Sequence, residues 1–347
     1  MAYEPNAESG PAGASPWRLA LRRLRRNRVA LAFGALLVLI VAFVLAAPLW
    51  AEQIAETGPN RGHTLEKIEV DGQQREVVNV EGRPIGPVWL GAGGKFFLGA
   101  DSRLGRDEMV RLMYGGRASL FIGFSATLLT TVLATVLALL AGYYRGWVDG
   151  LISRILDTIW AFPVLLLGIA LGIVLALGGL KIGPVAIPSG SIWITILIIG
   201  GVLVPYMARP LRGSVLSLRE KEFVEAAVAG GASPLRVMFG ELLPNLSSTI
   251  IVFFTLGIAN AMLFEAALSF LGVGVQAPDT SWGLMVGEGF ELINSAPLLT
   301  ILPGTMIFLT VLSVNVFGDG LRDALDPRSK VLLEAHAGIA EPEGTPV

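Results

Sequence analysis

Cysteine is absent from all 347 residues, which excludes disulfides and thiolate metal sites. Only two histidines occur, His63 and His336, far apart in the chain, so no histidine zinc site and no metal is expected. Charge is scarce: Asp, Glu, Lys and Arg make up 16% of residues, and formal net charge is −2. A nucleic-acid surface needs a basic excess that this chain lacks. No Ser/His/Asp set or carboxylate pair can be assembled in or beside the apolar runs, so no catalytic residue is assigned. Gly94-Lys95 is not a phosphate loop, because Phe96 stands where Ser or Thr is needed and no glycine sits at the right upstream position.

What is abundant is hydrophobicity: 53% of residues, with mean hydropathy +0.65. That exceeds an ordinary soluble domain and indicates a protein that crosses the lipid bilayer several times. Residues 1–15 are rich in Gly, Pro, Ala and Ser, a composition that predicts disorder. Six arginines follow, Arg18, Arg22, Arg23, Arg25, Arg26 and Arg28, then 22 uncharged residues, Val29–Trp50, ending in Pro-Leu-Trp. This is an uncleaved first span (29–50) with a basic cytoplasmic flank (1–28). Residues 51–117 form a 67-residue polar loop, in which Ile68, Val70, Asp71-Gly72, Val77, Val78 and Val80 suggest a hairpin.

Five further spans are predicted. Ala118–Tyr144 is uncharged, and Leu151–Leu180 has Pro163 as a kink and Arg154 and Asp157 placed to pair on one face. Ser191–Ala208, about Ser247–Leu271 and Ala296–Gly318 complete the set, and Pro205 and Pro303 mark kinks. The core is thus 118–320 and the tail 321–347.

Between the fourth and fifth spans lies a polar segment patterned like a folded element. Leu216, Phe223, Val224, Ala227 and Val228 suggest a short amphipathic helix. Gly230-Gly231 supplies a left-handed stop, and Ser233-Pro234 restarts a helix through Leu235, Met238, Phe239 and Leu242 that ends near Pro244. An apolar helix–turn–helix on the water side of a membrane is a docking surface for a soluble partner. An ordinary amphipathic loop is the plain alternative.

Glu225-Ala226-Ala227, then Gly231, then Leu243-Pro244 with Asn245 resembles the EAA loop of membrane subunits of ATP-binding-cassette importers. Leu98-Gly99-Ala100-Asp101, Leu104-Gly105-Arg106-Asp107 and Gly115-Gly116-Arg117-Ala118-Ser119-Leu120 resemble the dipeptide, oligopeptide and nickel branch, whose pattern is G-T-D-x-L-G-R-D and G-A-R-x-S-L. Ala100 and an extra residue, Ser102 or Arg103, depart from it. Residues 266–278 with Ser281-Trp282-Gly283 are close to S-L-S-F-L-G-L-G-V-Q-P-P…S-W-G, and 319–327 resembles the family's final segment. The resemblance, to the C-type permease subunit, runs from Trp17 to Pro327. It implies an all-α integral membrane fold of the type I importer kind, six transmembrane helices with a cytoplasmic coupling loop at 216–245. It further implies a heterodimer with a second permease subunit, two ATPase subunits that hold the ATP and Mg, and an extracytoplasmic solute-binding protein. This chain then has no cofactor of its own. Glu225, Ala226, Ala227, Gly231, Leu243 and Pro244 become the ATPase-coupling residues. The solute is a peptide, with nickel chelates, glutathione or sugars as alternatives.

Basic residues give the orientation. With both termini in the cytoplasm of a bacterial or archaeal cell, the inner segments hold 16 Lys and Arg and the outer segments ten, nine of them in 51–117. The short outer loops carry only Lys181. Glu265 lies within the fifth span, where a charge costs roughly 2.5–3.5 kcal/mol unless paired or watered. It either lines the pathway or is bonded to Ser269 or the partner subunit. An enzyme is disfavoured by the missing catalytic set; a channel or scaffold using the same docking loop remains the reading from another class.

Overall fold

A computed structural model describes residues 21–325, apart from positions 71 and 102. The disorder expected for 1–15, Arg18, the 326–347 part of the tail and Ser102 fall outside the described residues.

The first span is α1, Arg28–Leu45, opened by Asn27, whose Oδ1 accepts the Ala30 amide at 3.0 Å. It ends five residues short of the predicted Trp50. Pro48 lacks an amide hydrogen, and the chain restarts at Ala46 as a separate short helix, α2, Ala47–Gln53, with the proline in its first turn.

The polar loop is folded. Strands β1, Lys67–Val70, and β2, Gln73–Glu76, pair antiparallel with Lys67 opposite Glu76 and Val70 opposite Gln73. The hairpin was legible, but its second strand was misplaced. Val70 already pairs with Gln73, so β2 precedes the valines. Val77 and Val78 instead join Val70, Val88, Phe96 and Ala100 in a small core, and Val80 is 98% exposed.

Helix α3, Glu108–Tyr144, begins ten residues before the predicted span. Its 37 residues extend about 55 Å, against about 30 Å of hydrocarbon, so it is about 25 Å longer than a perpendicular span needs, and its charged residues, Glu108, Arg111 and Arg117, all lie in its first ten positions. The predicted third span is two helices, α4, Gly146–Trp160, and α5, Val164–Gly178, which meet at 85°. Pro163 at their junction is extended, with ψ 120°, so it breaks the rod where a kink was expected. A small hairpin follows, β3 Leu180–Ile182 with β4 Val185–Ile187. Then come α6, Ile192–Val202, and α7, Val204–Arg219, with Pro205 in the first turn of α7. Together they form one 28-residue candidate span, eleven residues longer than predicted at its far end.

After α8, Glu222–Ala229, comes α9, Pro234–Phe270, a single 37-residue candidate span. Pro244 was expected to stop a short helix and does not. The turn before it, Val237–Leu242, is wound as a π-helix, which removes the ordinary i−4 register in which the proline ring would clash. Helix α10, Trp282–Phe290, was not anticipated, and α11, Leu298–Leu325, runs past the predicted Gly318. Five helical segments are long and apolar enough to cross a membrane, and the bent α4–α5 pair makes six if counted as one.

Helix α3 is the axis, packed by α7, α9, α6 and α10, while α1 lies on α11. The approach of α3 to α7 depends on Gly142: a Cβ there would sit 2.5 Å from Val215 Cγ1.

Candidate coupling and translocation site

The turn between α8 and α9 is built by its backbone. Gly230 keeps φ −75° as the C-cap, and Gly231 takes φ 81°. Ala232 N donates to Ala227 O and Gly231 N to Val228 O, both at 3.0 Å, the paired bonds of a Schellman stop. Nothing lies within 4 Å of where a Gly231 Cβ would be, so the demand for glycine there is conformational. Ser233 then caps α9, its Oγ accepting the Arg236 amide at 3.4 Å.

The apolar residues of this element divide into two sets. Val224, Val237, Met238 and Leu242 are buried in one cluster with Ala138 and Leu139 of α3, Leu156 of α4 and Leu211 of α7. They fix the element rigidly to three spans. Phe223, Val228, Leu235 and Phe239 remain exposed, Leu235 at 63% and Phe239 at 53%. Leu216 belongs to α7, outside this element. Glu225 and Ala226 are exposed beside the turn, Ala227 and Leu243 are half-buried, and Pro244 is exposed on α9. The expected residues therefore share one small region.

Ion pairs tie this end to its neighbours. Arg212 holds Asp149 through two bonds of 2.5 Å, Arg145 donates to Glu220 at 2.7 Å, and Arg209 pairs with Asp157. The expected Arg154–Asp157 contact on one helix is replaced by that pair between helices. Arg209 also stacks on Trp160, 3.8 Å from the ring centroid, which favours the tertiary partner over the local one.

Above this element, α3, α5, α7 and α9 enclose an open cavity of about 500 Å³. Its wall is apolar except for Thr127, Thr130, Tyr206 and Asn260. The threonine hydroxyls are engaged by backbone carbonyls, Thr127 with Gly123 O at 2.7 Å and Thr130 with Gly200 O at 2.9 Å. Sequence reasoning named none of these residues. Asn260 carried a signal, as the lone amide between Leu246 and Phe264, since a polar group in a span is functional by default.

Glu265 is buried at 1% exposure. Ser269 Oγ donates to it at 2.7 Å and Ser119 Oγ at 3.0 Å. Ser119 Oγ in turn accepts the Trp282 amide at 3.1 Å, and Ser269 Oγ accepts the Val275 amide at 3.0 Å. Trp282 Nε1 donates to Leu112 O at 2.8 Å. One carboxylate thus joins α3, the end of α9 and the start of α10. The Ser269 bond was among the expectations, but Ser119 and Trp282 were not.

At the far end of α3 the 98–107 motif closes a buried charge cluster. Asp107 caps α3 by accepting the Val110 amide at 3.0 Å and also accepts the Phe96 amide at 2.6 Å. Burial raises its pKa, and the amides only partly oppose that. Asp101 accepts from Arg106 Nε, from Arg111 Nη1 at 2.9 Å and from the Leu104 amide at 2.9 Å. Burial pushes the Asp101 carboxyl up, but the Arg111 and Arg106 guanidiniums outweigh it and hold it below the usual carboxylate range. Arg111 also donates to Glu288 of α10 at 2.6 Å, across 177 residues.

The profile of the family described as Binding-protein-dependent transport system inner membrane component matches residues 134–331. The profile described as the N-terminal TM domain of oligopeptide transport permease C matches residues 15–62. The chain is 38% identical over 337 residues to Dipeptide transport system permease protein DppC of Alkalihalophilus pseudofirmus, covering 95% of this chain and 97% of that one. It is 38% identical over 321 residues to Glutathione transport system permease protein GsiD of Salmonella typhimurium, covering 91% and 92%. Oligopeptide transport system permease protein OppC of Bacillus subtilis is 33% identical over 316 residues, covering 90% of each.

Proposed function

Because the chain belongs to the family of binding-protein-dependent transport system inner membrane components, as a permease subunit of an ATP-driven importer, we propose that it carries peptides and is driven through the α8–α9 turn. The observation that carries this reading is the division of one short element into a buried face and an exposed apolar face. The buried face joins the turn to α3, α4 and α7. The exposed face, Phe223, Val228, Leu235 and Phe239, is left for an ATPase subunit. A push on a stiffly anchored turn moves spans as bodies, which is what switching between inward and outward access requires.

Glu225, Ala226, Ala227, Gly231, Leu243 and Pro244 are the coupling residues in this reading. ATP and Mg reside on two ATPase subunits, a second permease completes a heterodimer, and an extracytoplasmic binding protein delivers solute. Both termini and the turn face the cytoplasm, and 51–117 faces outward, as the Lys and Arg bias supports. The cavity with Tyr206 and Asn260 is this chain's share of the pathway, supported by its position over the coupling element. Glu265 acts as an internal brace, supported by its burial and its two hydroxyl donors. Peptide as solute is supported by the relatives, whose names all denote transport of peptides, glutathione being a tripeptide.

The test is reconstitution of the whole complex in vesicles with Gly231→Val, and with Gly86→Val as control. Gly86 has open space around its Cβ position. Gly231→Val should assemble, yet lose dipeptide uptake and binding-protein-stimulated ATP hydrolysis. Uptake equal to the control refutes the coupling role. Uptake of nickel chelates or sugars in place of peptides refutes the solute.

A further inference from the structure

A second, larger groove of about 730 Å³ lies between α1 and α3. Leu37 and Val41 of α1, Phe121 and Phe124 of α3, Ile258 of α9 and Val314 of α11 wall it with hydrocarbon. At one end its rim carries Arg117 and Asp279. Arg117 immediately precedes the 27 uncharged residues of α3, so its guanidinium stands at headgroup depth. Asp279 lies in the connection from α9 to α10, at the same rim. Both are exposed. Among the described residues neither forms an ion pair, with the other or with any third group, and Arg117 lies 5.5 Å from the Tyr114 ring centroid.

A cation and an anion without ion-pair partners among the described residues, over one apolar chute, are the complement of a lipid whose headgroup carries both a phosphate and an ammonium. We propose that this groove binds an aminophospholipid of the phosphatidylethanolamine class, with its phosphate on Arg117, its ammonium on Asp279 and an acyl chain along Val41, Phe121 and Phe124. Phosphatidylglycerol satisfies Arg117 but leaves Asp279 facing only negative charge. A soluble zwitterion such as a peptide matches the rim but leaves the hydrocarbon walls bare. The site shares no lining residue with the Tyr206–Asn260 cavity, its rim stands at the opposite end of α3 from the coupling turn, and it does not depend on the solute carried.

The test uses the assembled transporter in nanodiscs, photolysed with phosphatidylethanolamine or phosphatidylglycerol bearing a diazirine in one acyl chain. Labelled peptides are mapped by mass spectrometry. Peptides containing Val41 and Phe121 should be labelled about fivefold more by phosphatidylethanolamine, the discrimination that one interfacial charge contact provides. Asp279→Asn should abolish that preference, and Arg117→Gln should lower labelling by both lipids. The wild-type preference is readable even where a variant fails to assemble. Equal labelling by the two lipids overturns the proposal. So does labelling indifferent to Arg117→Gln, or a groove that cross-links to the second permease chain or to a soluble peptide instead of lipid.

Discussion

The two ends of α3 treat polar and apolar groups in opposite ways. At the Glu108 end, Asp101, Arg106 and Arg111 are buried and neutralise one another and Glu288 within this chain. At the Tyr144 end, ion pairs are half-exposed, and four large apolar side chains of α8 and α9 are left bare. The first end is paired largely within the chain and forms a clamp, although Glu108 Oε2 and Arg111 Nε are buried there without a hydrogen-bond partner. The second is stiff inside and unfinished outside, the arrangement suited to receiving another protein. Buried charges should make the first end intolerant of change, whereas at the second the proposed coupling role predicts loss of function at little cost in stability.

The largest effect should therefore come from the clamp. Arg111→Met leaves Asp101 and Glu288 with Arg106 as their one remaining cation, an unbalanced buried negative charge, and should cost about 3–5 kcal/mol. Arg209→Ala, at the other end, removes a half-exposed pair and should cost about 1 kcal/mol or less. Thermal unfolding of the purified complex measures both, and equal losses would erase the contrast. The clamp also carries a pH signature. A carboxylate whose folded pKa is depressed contributes stability in full above its unfolded value, about 3.9, and loses it as pH falls through the lower folded value. Acidifying from about pH 5 to about pH 2 should destabilise the wild type through this group, and Asp101→Asn should lose that component of the acid limb.

Next in size is the turn. Gly231→Val forces a β-branched residue to φ 81° and should cost about 1–3 kcal/mol. Gly230→Ala keeps φ −75° and should be nearly neutral. If circular dichroism melts of the two variants coincide, the left-handed position has been misassigned.

The smallest change in stability should accompany a large loss of function. Leu235→Ser with Phe239→Ser removes exposed side chains and should alter stability by within about 0.5 kcal/mol per site. The same pair should weaken capture of the ATPase subunits about tenfold or more, as loss of an apolar anchor does. Unchanged ATPase binding in a pull-down would end the docking interpretation.

The sequence was most legible where a pattern is local. Apolar run length located five spans and, for the sixth, a pair of helices that meet at 85°; Gly230-Gly231-Ala-Ser-Pro located the turn, because the left-handed stop and the serine cap depend on adjacent residues. Helix ends were less legible. Pro244 was taken for a stop because a π-turn that accommodates it leaves no simple sequence mark. Pro163 was taken for a kink, since nothing local distinguishes a bend from an 85° break. Partners distant in sequence were illegible: Asp157 reaches Arg209 and Arg111 reaches Glu288 only once the helices are packed. Helix α10 was hidden because its nine residues fit no span length, and its anchor, Trp282, is held by Ser119 and Leu112 far upstream.

The most direct test of the central claim is site-specific photocross-linking in intact cells. A photoreactive amino acid placed at Leu235 should form an adduct with an ATPase subunit, and one placed at Gln74, in the folded loop opposite, should not. An adduct from Gln74 with the ATPase, or from Leu235 with the extracytoplasmic binding protein, would contradict both the assigned orientation and the coupling role of the turn.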